Sequence, residues 1–300
     1  MAATGKKLTN KELRNKELMI KGFKEINTEG RPFTFFSTSS PRHFKNMTPK
    51  VIAMAGKGGT GKTTTSALLI KYLTSRQLTP ILAVDADANA NLNELLGLDI
   101  NMTIGEIRKE LKGDLPIGMT RDQFMEMKIQ QAIIEESGYD LLVMGQPDGP
   151  GCYCSANQYL AMTMERLATN YRYIIVDNEA GMEHLSRLNL RAIDHLLIVS
   201  DPSARGIMTA RRIAEITEPL GLQVKSKHLI VNRAATPLTP ELEAKINEAV
   251  AQSNLPLGGI FPASDELVRQ EITGGSYLEL GDEVPILQTA FATFDKIFAQ

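Results

Sequence analysis

The 300-residue chain has no tryptophan, only two cysteines, and aromatic residues make up just 6% of it. Two cysteines cannot staple a chain of this length, which excludes a disulfide-built scaffold. They suit a reducing compartment, where thiols bind metal or do redox chemistry. No run approaches the roughly 18 uncharged apolar residues that a membrane-crossing helix needs. No apolar stretch follows the first lysines, which excludes a secretory signal. An excess of either charge is also missing: 33 Lys and Arg against 35 Asp and Glu leave −2. That balance gives the chain as a whole no pull on nucleic acid. With 43% hydrophobic and 23% charged residues, the composition is that of an ordinary globular protein. The expectation is a cytoplasmic protein with neither nucleic acid nor membrane as partner.

The charge is unevenly placed. The first fifty residues hold eleven bases against four glutamates, a balance of +7, leaving 22 bases and 31 acids, or −9, for the rest. Such a reversal marks residues 1–49 as a basic N-terminal extension. Thr9 and Glu12 form a capping-box pattern that opens a helix through about Asn27, and a loop rich in Ser, Thr and Pro follows at Arg31–Pro49. Four glutamates break the basic run, unlike a transit peptide. A solvated arm is the simplest reading of this segment.

From residue 50 to 300 short apolar runs alternate with amphipathic ones. Val51–Ala55, Pro80–Asp85, Leu141–Met144, Tyr173–Asp177, Leu196–Ser200, Leu229–Asn232 and Gly259–Phe261 read as strands. They are rich in Ile, Val and Leu with little polar alternation, as strands buried on both faces are. Helical patterns separate them at Lys62–Ser75, Thr103–Leu111, Arg121–Ser137, Asn157–Thr169, Arg205–Leu220, Thr239–Gln252 and Ser264–Thr273. Repeating strand–helix units predict one α/β domain, a mostly parallel sheet with helices on both faces. A last stretch, Ile286, Leu287, Ala290, Phe291, Phe294, Ile297 and Phe298, has helical spacing. Its polar side carries little beyond Asp295 and Lys296, whereas membrane-surface helices are rich in bases, so core packing is expected.

Gly56-Lys57-Gly58-Gly59-Thr60-Gly61-Lys62-Thr63-Thr64 matches the phosphate-binding pattern G-x-x-x-x-G-K-[ST] and lies between a strand and a helix, as that motif requires. Its glycines let successive N–H groups curl around phosphate oxygens. Lys62 is expected to reach the β and γ phosphates of ATP and Thr63 to offer its hydroxyl to Mg²⁺, at the positive end of the helix. Asp177 closes an apolar strand like a Walker B aspartate, assisting Mg²⁺. Asp85-Ala86-Asp87 ends the strand after the P-loop helix, on the carboxyl edge where open α/β sheets bind ligands. One of these carboxylates would support the metal, with Asp85 the candidate, and the other would orient the attacking water. Each aspartate could instead cap a helix.

The two cysteines stand in Gly149-Pro150-Gly151-Cys152-Tyr153-Cys154. In extended backbone, residues i and i+2 point the same way, so both sulfurs could face one ion. Ser155 with Gln158 looks like a capping box, which would set both thiols just before a helix N-terminus, where thiolate is favoured. Thiolates suit Ni, Zn, Cu(I) or Fe–S centres, and two chains across a two-fold axis would supply the four ligands of a tetrahedral site. Two small buried hydrophobes are the competing reading.

Lys57, directly after the first P-loop glycine, resembles the signature lysine of the deviant Walker A group, which includes the MinD/ParA positioning ATPases and the nitrogenase iron protein. That resemblance implies an ATP-dependent face-to-face homodimer in which Lys57 touches the partner's nucleotide. It also assigns Asp87 to water activation, and Asn232 with Arg233 to the nucleotide's adenine end. Gly149–Asn157, Asp85–Asn91, Ser200–Ser203 and Asp177-Asn178-Glu179-Ala180-Gly181-Met182-Glu183-His184 together resemble the CooC-type accessory ATPases that insert nickel into carbon monoxide dehydrogenase. This resemblance implies ATP hydrolysis, Ni²⁺ or Zn²⁺ held by Cys152 and Cys154 of two subunits, and the dehydrogenase as client. His184 would be an extra metal or client contact, or an ordinary hydrogen-bonded histidine. A positioning ATPase is the main alternative. A reductase of the iron-protein type fits poorly, because it needs two well-separated cysteines, and a small-molecule kinase would leave Lys57 without a role.

Overall fold

The computed structural model describes residues 48–113, 115–146, 152–180 and 192–299, with side chains from residue 158 onward in the third stretch. The expected helix over Thr9–Asn27, most of the loop that follows it, and His184 lie outside the described residues.

The strands are β1 (Lys50–Gly56), β2 (Ile81–Ala86), β3 (Ile134–Glu136), β4 (Tyr139–Val143), β5 (Tyr173–Asn178), β6 (Ile193–Ser200), β7 (Val224–Ala234) and β8 (Leu257–Pro262). They form one sheet in the order β3-β4-β2-β5-β1-β6-β7-β8, parallel throughout except for β3 against β4. The helices are α1 (Lys62–Ser75), α2 (Leu92–Leu96), α3 (Ile104–Glu110), α4 (Arg121–Ala132), α5 (Cys152–Leu167), α6 (Ala204–Ile216), α7 (Pro240–Gln252), α8 (Asp265–Thr273) and α9 (Pro285–Phe298).

Alternation along the central strand divides the core in two. Ile52 and Met54 join the cluster under α1 and α9, with Leu69, Leu73, Ile286 and Phe294. Ala53 and Ala55 face the opposite cluster, built from α3 through α7 with Ile107, Phe124, Leu160, Ile207 and Ile246. Burial on both faces explains why the strands read as continuous apolar runs. The C-terminal stretch packs as expected: Ile286, Leu287, Ala290, Phe294 and Ile297 of α9 are buried. Phe294 lies against Tyr72 and Phe261, with ring centroids 5.5 and 6.1 Å away.

Three expectations are corrected. The helix expected over Arg121–Ser137 stops at Ala132, and 134–136 pair antiparallel with β4. The β-branched pair Ile133-Ile134 favours a strand. Gly138, at φ +94°, closes the turn back to Tyr139, and a Cβ there would lie 2.9 Å from the Thr79 methyl. Leu92–Leu96 forms a helix too short to show amphipathic periodicity. The helix expected from Asn157 starts at Cys152, so Ser155 is not its N-cap and the backbone at both cysteines is helical rather than extended.

Replacing Phe294 with alanine is expected to cost about 3–5 kcal/mol of stability, as for other large-to-small core changes, read from the urea midpoint. A midpoint unchanged from wild type would mean that the apolar face of α9 is not core.

Candidate nucleotide site

The sheet order sets β5 between β1 and β2, so the P-loop, Asp177 and the Asp85–Asp87 turn leave adjacent strand ends. Asp85 and Asp177 are register partners across β2 and β5. Strand order reverses about β1, the position where open α/β sheets bind ligands.

The P-loop conformation is available only to glycine at several points. Gly56, Gly59 and Gly61 have φ of +151°, +79° and +95°. A Cβ on Gly56 would sit 2.3 Å from the Val199 carbonyl oxygen, and one on Gly61 would sit 2.0 Å from Asn232 Nδ2. Gly61 caps α1 in the left-handed region without any side-chain cap bond. The first amides of α1 are thus left to an incoming anion, with the helix dipole behind them.

Lys62 is buried, and burial lowers its ammonium pKa; Asp177, Asp87 and Glu179 oppose that shift. Its Nζ donates to the Lys57 carbonyl at 3.3 Å. Lys57 itself is exposed. Thr60 Oγ1 also donates to the Lys57 carbonyl, at 2.9 Å, closing the loop on itself.

Asp177 is fully buried and accepts hydrogen bonds from the Thr63 and Ser66 hydroxyls, the latter at 3.1 Å. Burial, helped by the neighbouring Asp85, pushes its pKa up to about 7. A carboxylate walled off from water between hydroxyls gains most from a hard cation. Thr63 and Asp177 therefore fit as the residues that would hold Mg²⁺, directly or through water. Beside them, the buried Asn178 donates Nδ2 to the Met54 and Val176 carbonyls, while its Oδ1 has no hydrogen-bond partner among the described residues.

Asp85, expected beside the metal, is engaged with the backbone. It is fully buried, and its two oxygens accept the backbone N–H groups of Asp87, at 3.0 Å, and Leu92, at 2.9 Å. Burial raises its pKa to about 6. Asp87, at the rim, accepts from Asn89 N and Nδ2 at 2.9 and 3.1 Å, forming an Asx turn rather than a helix cap.

Asn232, expected at the adenine end, reaches the P-loop with its amide nitrogen. Its Nδ2 donates to the Thr60 carbonyl at 3.0 Å. Arg233, held at φ +57°, donates to the Gly59 carbonyl at 3.3 Å. The end of β7 thus braces the loop. Ser66 and Asn178 escaped the sequence reading as site residues. A usable signal existed for Ser66, since a hydroxyl four residues after Lys62 lies on the same side of the helix. Cys152 and Cys154 start α5, and their side chains lie outside the described residues. Among the described residues no group of three or more His, Cys, Asp and Glu is arranged to hold a metal ion. Nor is any helix long and apolar enough to cross a membrane.

Two outcomes follow from this geometry. Asn232→Ala removes one buried brace, worth about 1 kcal/mol. It is expected to weaken ATP and GTP binding by a similar factor; a change confined to ATP would return Asn232 to base recognition. Asp177→Asn is expected to stabilise the nucleotide-free protein. A carboxyl whose pKa is raised in the fold binds more protons folded than unfolded, so its ionisation costs stability as pH rises from about 4 to above 7. The gain in melting temperature should therefore be small at pH 4 and larger at pH 8.

Comparison with known proteins agrees with the site. The CobQ/CobB/MinD/ParA nucleotide-binding domain matches residues 51–276. An uncharacterized ATP-binding protein of Methanocaldococcus jannaschii is 39% identical over 229 residues, 75% of this chain and 88% of that protein. The carbon monoxide dehydrogenase accessory protein CooC of Rhodospirillum rubrum is 30% identical over 201 residues, 62% of this chain and 75% of that one. Among solved structures, the cell division ATPase MinD of Pyrococcus furiosus superposes with a TM-score of 0.63 at 20% identity, covering 84% of this chain and 99% of its own. A strand–P-loop–helix unit, a buried carboxylate on the adjacent strand and a family match over most of the length agree: this chain belongs to the CobQ/CobB/MinD/ParA nucleotide-binding domain family.

Proposed function

We propose that the chain is a Mg²⁺-dependent ATPase of the CooC type, a metallochaperone that carries nickel as cargo and serves carbon monoxide dehydrogenase. The sequence feature that supports this reading is Gly-Pro-Gly-Cys-Tyr-Cys at Gly149–Cys154, in a chain 30% identical to a carbon monoxide dehydrogenase accessory protein over 201 residues. The basic segment 1–49 would be an appendage to the ATPase domain over 50–300.

In this reading the P-loop amides and Lys62 bind the β and γ phosphates. Mg²⁺, when bound, neutralises phosphate charge and orients the triphosphate. Thr63 and Asp177 hold that position, Ser66 fixes the Asp177 carboxylate, and Asn178 offers a buried acceptor to an ordered water. Asp87, on the loop at the rim, receives the proton of the attacking water. The exposed Lys57 reaches the nucleotide of a second copy, so ATP draws two chains together and Cys152 and Cys154 of both supply four thiolates. Metal held unequally by the two nucleotide states would then be captured in one and released in the other, as linkage requires.

A positioning ATPase of the ParA/MinD kind is the second reading. A septum site-determining protein MinD of Bacillus subtilis is 26% identical over 226 residues, which favours it. Against it, α9 commits its apolar face to the core.

Lys57→Ala is expected to leave ATP binding intact while hydrolysis and ATP-driven dimerisation fail; wild-type turnover would remove the trans-acting lysine. Lys62→Ala should weaken ATP binding in a single chain. Ni²⁺ titration should give near one ion per dimer, lost in Cys152→Ser. Metal binding that ignores both the cysteines and nucleotide would favour the positioning ATPase.

A further inference from the structure

The loop from Asp87 to Asn91 is held from below by one side chain. Asp85 leaves the end of β2 fully buried, and its two oxygens grip the loop at both ends, Oδ1 on the Asp87 amide and Oδ2 on the Leu92 amide. Leu92 opens α2, and Asn91, at the N-cap position, makes no side-chain cap bond there. Asp85 thus does for α2 what a capping residue does, but from a neighbouring strand end. At the far end of α2, Ser276 Oγ donates to the Leu96 carbonyl at 2.9 Å in a buried contact. The short helix is a strut fixed at both ends.

The loop between these anchors adopts a conformation that its sequence does not favour. Ala90 sits at φ +50°, and its amide donates to the Asp87 carbonyl at 3.2 Å. A left-handed alanine is disfavoured and persists only where its surroundings hold it. The Asp87 carboxylate, whose Oδ1 caps Asn89, rides on this turn.

We infer that Asp85 is a positioning residue, a clamp that holds the Asp87–Asn91 loop in its turn and so fixes the Asp87 carboxylate where water is activated, rather than a ligand of Mg²⁺. The catalytic half of this inference rests on the ATPase reading above. The clamp itself does not.

The test uses the full chain with Asp85→Asn, Ala90→Gly and the pair. Asparagine keeps the size of aspartate but offers one acceptor oxygen instead of two. Steady-state ATPase of Asp85→Asn is expected to lose about ten- to a hundredfold in kcat, the scale of a misplaced catalytic group. KM for ATP and the Mg²⁺ dependence should stay at wild-type values. Glycine at 90 accepts the left-handed turn without strain, so the double variant should recover much of the lost kcat. A loss that excess Mg²⁺ repairs and Ala90→Gly does not would make Asp85 a metal ligand and overturn the inference. So would wild-type kcat in Asp85→Asn. Amide hydrogen exchange in the nucleotide-free protein separates this from failure of the ATPase reading. Faster exchange at Asp87 and Leu92 in Asp85→Asn supports the clamp even if the wild type shows no turnover. Unchanged exchange rejects it.

Discussion

A buried carboxylate is the constraint around which the site is arranged. Asp177 is fully enclosed, beside a second buried acid on the neighbouring strand, and accepts hydrogen bonds from hydroxyls in the first turns of α1. Water does not reach it, so its ionised form carries a desolvation cost that a neighbouring cation offsets. Lys62 meets the complementary difficulty, a buried ammonium held among carboxylates. Neither group is stable for its own sake. Together they set a buried ammonium and a buried carboxylate in electrostatic contact at the P-loop.

The bracing around the P-loop follows from its composition. A P-loop of glycines has little intrinsic preference for one conformation, so neighbours must impose it. Asn232 and Arg233 hold the loop carbonyls from the β7 side, and Thr60 ties it to the Lys57 carbonyl. Close approach of Gly56 to Val199 leaves no room for any other residue at the turn. The loop's own amides are then left pointing inward for phosphate.

Much of the fold was legible because each local pattern agreed with the tertiary arrangement. Central strands buried on both faces write themselves as apolar runs, and the P-loop cannot be built without its glycines. The failures have specific causes. Leu92–Leu96 is too short to carry a period, and its ends are set by Asp85 and Ser276 from distant segments. The end of α4 was overrun because β3 exists only by pairing with β4. At Cys152 and Cys154 the extended backbone that would align two side chains gives way to helix.

The amino-acid order alone determined the α/β class, the P-loop and the identity of the acidic strand ends, since these rest on local geometry and on burial written residue by residue. Which carboxylate does what was decided only in three dimensions. Asp85 and Asp87 differ by two positions in the chain. Yet one is sealed beneath backbone amides and the other stands at the rim, because β2 ends between them and the chain turns over its own carboxylate. Asn232 likewise reads as a base contact, and only the approach of β7 to the P-loop reveals its amide nitrogen on the Thr60 carbonyl. Side-chain roles depend on what packs across strands, and neighbours far apart in sequence supply that.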